Sequence, residues 1–305
     1  MARRTPLCAT NAGPAPFNWL AGIVTRNNDA VSMKTRVTAF RNDGLVFPVV
    51  DCGPLDGPVV MLLHGFPQNA HCWDGVSPAL NEAGYRTLAP DLRGYADTNS
   101  PQSVDEYRLD VMVGDVLAAA ETVGAQRLHL VGHDWGGTLA WVTAGAHPST
   151  VLTVTAISTP HPQAMAVAIR QGPQARKSWY VRAFALPVLP QRVLPWLSGR
   201  LAREIGPRAE RYVQGLSVAQ WSSRLNWYRA NPAAGLEGPL QRCNVNATYV
   251  WGRHDPYLGE LAAHLTAQYV SGDYEFVPVD AGHWLPEQHP QECAQAILRR
   301  LATGL

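Results

Sequence analysis

Seven short apolar runs, at residues 45–50, 58–63, 86–89, 127–131, 151–157, 247–251 and 274–279, are bounded by turn-forming residues and read as strands. Several are separated by helical patterns, and strands that alternate with helices build a mostly parallel sheet. The clearest helix opens near Ser103, where Ser103-x-x-Glu106 has capping-box spacing and Leu109, Met112, Val113, Val116 and Leu117 recur at helical intervals that pack on a sheet. Between the runs at 151–157 and 247–251 lie about 90 residues, too many for a plain βα crossover. That stretch is dense in aromatic and helix-favouring residues and is punctuated by Pro187, Pro190 and Pro195, so it is expected to be a helical cap inserted between two strands. The organisation expected is an N-terminal extension over 1–33, an α/β core over 34–160 and 240–305, and the cap over 161–239.

Composition narrows the function classes. A chain of 305 residues fits one large α/β domain with an insertion. Lys plus Arg is 25 against 24 for Asp plus Glu, which gives no electrostatic reason to bind nucleic acid. Charged residues make up 16%, below the roughly 25% usual for soluble domains; the difference is taken by Trp, Pro and Gly, which suits a large core and excludes disorder. The five cysteines are scattered without Cys-x-x-Cys spacing, so ordinary thiols in a reducing, cytoplasmic compartment are expected rather than a disulfide scaffold or zinc site. The N-terminal stretch is broken by Pro6, Asn11, Pro14 and Pro16 and lacks the apolar core of a signal peptide, and Met33 is a second candidate start. No run reaches the ~18 apolar residues of a membrane span.

The chemistry gathers at strand ends. After the strand Leu128–Val131 comes Gly132-His133-Asp134-Trp135-Gly136-Gly137 and then a helix-compatible segment. Small residues two before and two after Asp134 permit the sharp strand-to-helix turn that lifts a nucleophile above a sheet. Alone, Gly-x-Asp-x-Gly reads equally as a loop that opens a helix with Asp near its N-cap. The rest of the chain supplies the context: Asp255 follows the strand ending in Tyr249-Val250-Trp251-Gly252, and His283 follows the last strand. Asp134, Asp255 and His283 therefore run in the order nucleophile, acid, base, each where catalytic groups of open α/β sheets converge. Asp280, read as lying within the strand, is taken as local support. His64-Gly65-Phe66-Pro67 follows the run at 58–63, so the backbone N–H groups of Phe66 and Trp135 are the expected oxyanion donors.

These motifs, with Asp91-Leu92-Arg93-Gly94-Tyr95, resemble the epoxide hydrolase branch of the α/β hydrolases from about residue 36 to the C-terminus. Ala96 stands where the family often has glycine, and residues 188–220 match only in character. The resemblance implies an α/β-hydrolase fold with a mostly parallel central sheet, helices on both faces and a helical cap. It also implies that Tyr228, in Leu225-Asn226-Trp227-Tyr228-Arg229, and Tyr180, beside Trp179, are the two ring-opening tyrosines. Trp179, Phe184, Trp227 and Trp284 are expected to line an apolar substrate pocket together with Phe66 and Trp135. No cofactor and no metal are expected. The partners expected are a small apolar epoxide and water, with a homodimer held open.

The residue types suit that reaction. A carboxylate, with a reference pKa near 3.9, is ionised at neutral pH and attacks an alkyl carbon without a base. An epoxide departs as an alkoxide and needs a proton donor, which two phenols supply. A halide needs only N–H donors, and Trp135 would serve, so a haloalkane dehalogenase is the alternative enzyme. A haloacid defluorinase is disfavoured, since residues 135–141 contain no arginine. A ligand receptor without turnover is the rival of a different class.

Overall fold

The computed structural model describes residues 35–232 and 242–304. The expected extension over 1–33 and the expected cap-to-core boundary near 240 lie outside the described residues. Eight strands form one sheet: β1 (Ala39–Asn42), β2 (Leu45–Cys52), β3 (Val59–Leu63), β4 (Arg86–Pro90), β5 (Leu128–His133), β6 (Val151–Ile157), β7 (Asn246–Gly252) and β8 (Tyr274–Val279), in the order β1-β2-β4-β3-β5-β6-β7-β8. The pairs β1–β2 and β2–β4 are antiparallel and the rest parallel. Strands β3, β4 and β5 are buried at every residue, because helices cover both faces of a parallel sheet, and that is why they read as unbroken apolar runs.

All seven apolar runs are strands. The eighth, β1, buries only Phe40 and so has no run to find, but its hairpin has a signal of its own. Asp43 and Gly44 turn at φ 48° and 76°, the two positive values of a tight I′ hairpin that Asp-Gly favours.

Among the described residues three α-helices precede β6: α1 (Ser77–Glu82), α2 (Leu109–Thr122) and α3 (Trp135–Ala146). Among the described residues, six lie between β6 and β7: α4 (Pro162–Gln171), α5 (Gln174–Lys177), α6 (Trp179–Ala185), α7 (Leu189–Ile205), α8 (Glu210–Val213) and α9 (Val218–Ala230). Helices α10 (Glu260–Leu265), α11 (Leu285–Gln288) and α12 (Pro290–Leu301) complete the chain. The helix expected from Ser103 starts later. Ser103 leads only a short 3-10 turn and makes no side-chain cap. The first N–H of α2, at Leu109, donates instead to Asn231 Oδ1 at 3.0 Å, and Asn231 Nδ2 donates to Tyr107 O at 2.8 Å. A side chain 122 residues away replaces the local capping box.

Cys72, Cys243 and Cys293 are buried free thiols, whereas Cys52 is disulfide-bonded, so the expectation of thiols does not hold at that position. Among the described residues no helix is long and apolar enough to cross a membrane.

Candidate active site

Strand β5 ends at His133 and α3 begins at Trp135, so Asp134 makes the turn at φ 52° and ψ −122°. A non-glycine residue held there costs about 1–3 kcal/mol, which the surrounding packing must outweigh. The neighbours leave no other path for the backbone: a Cβ on Gly132 would lie 2.2 Å from Gly136 O, and one on Gly136 2.2 Å from Leu63 O. The loop after β3 approaches just as closely, since a Cβ on Gly65 would sit 2.4 Å from Asp134 Cβ. That approach lets Phe66 N–H donate to Asp134 Oδ1 at 2.8 Å. Burial alone would raise the Asp134 pKa, but the His283 imidazole, His133 and the Trp135 N–H outweigh it and hold the carboxyl below its ordinary range.

Asp255 follows β7 and His283 follows β8. His283 Nδ1 pairs with Asp255 Oδ2 at 2.8 Å, while Nε2 faces Asp134 Oδ2 at 3.7 Å. The other Asp255 oxygen accepts the N–H groups of Tyr257 and Leu258 at 2.7 and 2.9 Å, which fixes the acid. The His283 carbonyl accepts the Ser158 hydroxyl at 2.7 Å and the His133 Nε2–H at 3.0 Å. Burial disfavours a charged imidazole, yet Asp255 and Asp134 outweigh it and raise His283 to about 10. At neutral pH the resting site therefore holds an imidazolium between two carboxylates.

Asp134 borders a cavity of about 80 Å³. Asp134, Tyr180 and Tyr228 share it with Trp135, Pro160, Pro162, Met165, Val181 and Leu258, and Thr138, Thr159 and Asn231 add polar atoms. Burial lifts both phenols well above their usual pKa, and the Asp134 charge adds to it. They are protonated donors at any working pH.

Comparison with known proteins places this chain in a family. The sequence pattern of the alpha/beta hydrolase fold matches residues 58–204. An AB hydrolase superfamily protein of Bacillus subtilis is 31% identical over 272 residues, 85% of this chain and 95% of the relative. Epoxide hydrolase A of Mycobacterium tuberculosis is 30% identical over 86% of this chain and 96% of its own length. The chain belongs to the epoxide hydrolase branch of the α/β hydrolases. A solved epoxide hydrolase from hot-environment metagenomes superposes on this α/β hydrolase with a TM-score of 0.74 at 27% identity, covering 88% of this chain and 99% of the other.

Within this hydrolase the structure brings Asp134, Asp255, His283, the Phe66 and Trp135 N–H groups, Tyr180 and Tyr228 to one place. Five expected pocket residues, Phe66, Trp179, Phe184, Trp227 and Trp284, do not line the cavity. Trp179 is 68% exposed and borders a separate surface groove, because the face of α6 that carries it turns outward. Trp227 is buried behind Trp135, ring centroids 5.9 Å apart, with Nε1 donating to Arg93 O at 2.8 Å. Trp284 packs edge-on against His283 at 4.8 Å. Phe184 stands behind Tyr228 at 5.2 Å, as Phe66 does at 5.3 Å. Asp280 lies outside the strand expected to hold it: β8 stops at Val279, and the Asp280 side chain is exposed and bonded to His254 at 2.7 Å.

Several residues that hold the site together carried no local signal. Ser158 and Thr159 follow β6, and Thr159 Oγ1 donates to Asp134 O at 2.8 Å. His64 stood in a motif for its loop, not its ring. Its buried imidazole accepts Leu92 N–H at 3.0 Å and donates to Gly65 O at 3.1 Å, joining the two loops beneath the cavity. Burial lowers its pKa to about 3, so it stays neutral. Among the described residues no cluster of His, Cys, Asp or Glu is placed to hold a metal ion.

Proposed function

We propose that this chain hydrolyses small apolar epoxides to vicinal diols through an ester on Asp134. The observation that carries the reading is one apolar cavity shared by a carboxylate and two protonated phenols, Tyr180 and Tyr228. With Oδ1 taken by the Phe66 N–H, Oδ2 is the attacking oxygen. It bonds an epoxide carbon, the C–O bond of the ring breaks, and a phenol gives its proton to the departing oxygen.

Charge then times the second step. Once esterified, Asp134 is neutral and no longer raises the His283 pKa, so His283 passes its proton to the phenolate and becomes a base. Neutral His283, oriented by Asp255, takes a proton from water as that water attacks the Asp134 carboxyl carbon. In this reading the oxyanion forms at Oδ1, which accepts the Phe66 N–H, and the Trp135 N–H is its second donor. Each such donor is worth ~10²–10³ in rate. Collapse expels the diol oxygen, which takes the proton from His283 and leaves Asp134 as a carboxylic acid; that acid passes its proton to neutral His283, which restores the carboxylate and the imidazolium. Helices α4–α9 act in this reading as the cap over the site.

The test is His283→Gln. That variant accumulates ester, seen as an Asp134 peptide heavier by the mass of the epoxide, with no diol released; an unshifted peptide overturns covalent catalysis at Asp134. The same protein, assayed with matched epoxides and bromoalkanes, gives diol and little bromide. Bromide without diol would reassign it as a dehalogenase.

A further inference from the structure

Helix α7 buries one side and exposes the other. Leu189, Val193, Trp196 and Leu197 stand at i, i+4, i+7 and i+8, one helical face, and all are exposed, Trp196 by 88%. Exposed Leu186 and Val188 lead into this face. Monomeric surfaces rarely concentrate large apolar groups in this way without a partner.

Charge identifies the partner. The whole chain is nearly balanced, 25 cations to 24 acids, yet residues 161–205 hold seven Lys or Arg and a single acid, Glu204. Arg192, Arg200 and Arg203 are exposed on the apolar face of α7 or its flank, with Arg182 exposed on neighbouring α6. Among the described residues none of these four is ion-paired. Tryptophan and aliphatic side chains set among arginines form the pattern of a helix lying at a lipid headgroup boundary. A second copy fits poorly, because a two-fold pairing would set the same arginines against one another.

The face adjoins a groove that borders the site. A surface groove of about 390 Å³ is lined by Arg176, Lys177, Trp179, Tyr180, Pro256 and Tyr257. Tyr180 also lines the inner cavity, and the Tyr257 hydroxyl donates to Glu204 of α7 at 2.5 Å.

We propose that the α6–α7 surface docks on anionic lipid bilayers, with Trp196 and its apolar neighbours in the headgroup boundary and the arginines on lipid phosphates. Resting on the functional reading above, docking turns the groove toward the phase where apolar epoxides concentrate. The experiment is sedimentation of the full chain with phosphatidylcholine vesicles, with and without phosphatidylglycerol, at low and high salt. It reads binding alone and so fails independently of catalysis. Binding is expected with the anionic vesicles only, and weakens with salt. Trp196→Glu lowers it about tenfold or more, and each of Arg200→Glu and Arg203→Glu lowers it by roughly fivefold or more, with melting temperature and turnover of a water-soluble epoxide unchanged. No sedimentation with anionic vesicles overturns the proposal, as does undiminished binding by these variants. A concentration-dependent dimer that Trp196→Glu dissolves, without vesicle binding, shows that the face pairs with itself and overturns it equally.

Discussion

The two helices that bring tyrosines to the cavity are held in opposite ways. Helix α9, which carries Tyr228, is tied to the loops after β3 and β4 and to α8 by buried groups. Trp227 Nε1 donates to Arg93 O, Arg224 Nη1 donates to Pro67 O and Tyr212 O at 2.9 and 2.6 Å, and Asn231 at its end caps α2. Tyr228 itself is 4% exposed. Helix α6, which carries Tyr180, buries no residue fully and runs into the exposed face of α7. One phenol therefore stands on a fixed support and the other on a surface layer. A rigid donor loses less to disorder in the transition state than a mobile one, so the difference predicts unequal contributions.

Removing both phenols, Tyr180→Phe with Tyr228→Phe, gives the largest effect. Diol formation should fall to background while Phe66 and Trp135 still hold Asp134, and substantial residual turnover would show that the proton comes from elsewhere. Taken singly, Tyr228→Phe is expected to lower kcat/KM by about 10²–10⁴ and Tyr180→Phe by less. The reverse order, read by steady-state kinetics on one epoxide, would contradict the assignment of the fixed donor to α9.

Loosening the support is next in size. Arg224→Ala leaves two buried carbonyls without their charged donor, a loss of about 3 kcal/mol in a denaturant titration, and it should lower the activity that depends on Tyr228. Asn231→Ala removes the long-range cap of α2 and costs about 1–2 kcal/mol. If Asn231→Ala melts like the parent protein, that cap carries no weight.

A pH slope tests the charge held in the site itself. His283 titrates near 10 in the folded chain against about 6.5 in an unfolded one. Between those values the folded state holds the extra proton. The stability this gives is full below about 6.5 and is lost as pH rises through about 10. Melting temperatures of the parent protein, compared with those of His283→Gln from neutral pH upward, should therefore converge. Parallel curves would mean that His283 is not held charged.

The order of chemical groups along the chain was legible without coordinates, because each lies next to a strand end that announces itself. An unbroken apolar run marks a buried parallel strand, and Gly132 and Gly136 flank Asp134 at the spacing its turn needs. What sequence alone could not decide was direction within the helical insert. An aromatic residue there reads the same whether it faces the cavity, as Tyr180 does, backs it, as Trp227 does, or meets solvent, as Trp179 does. Its facing is set by how short, proline-broken helices pack on one another, a many-body outcome with no local spacing rule. The same holds for Asn231 and Ser158, whose partners are 122 and 125 residues away. Only folding brings those groups within hydrogen-bond reach.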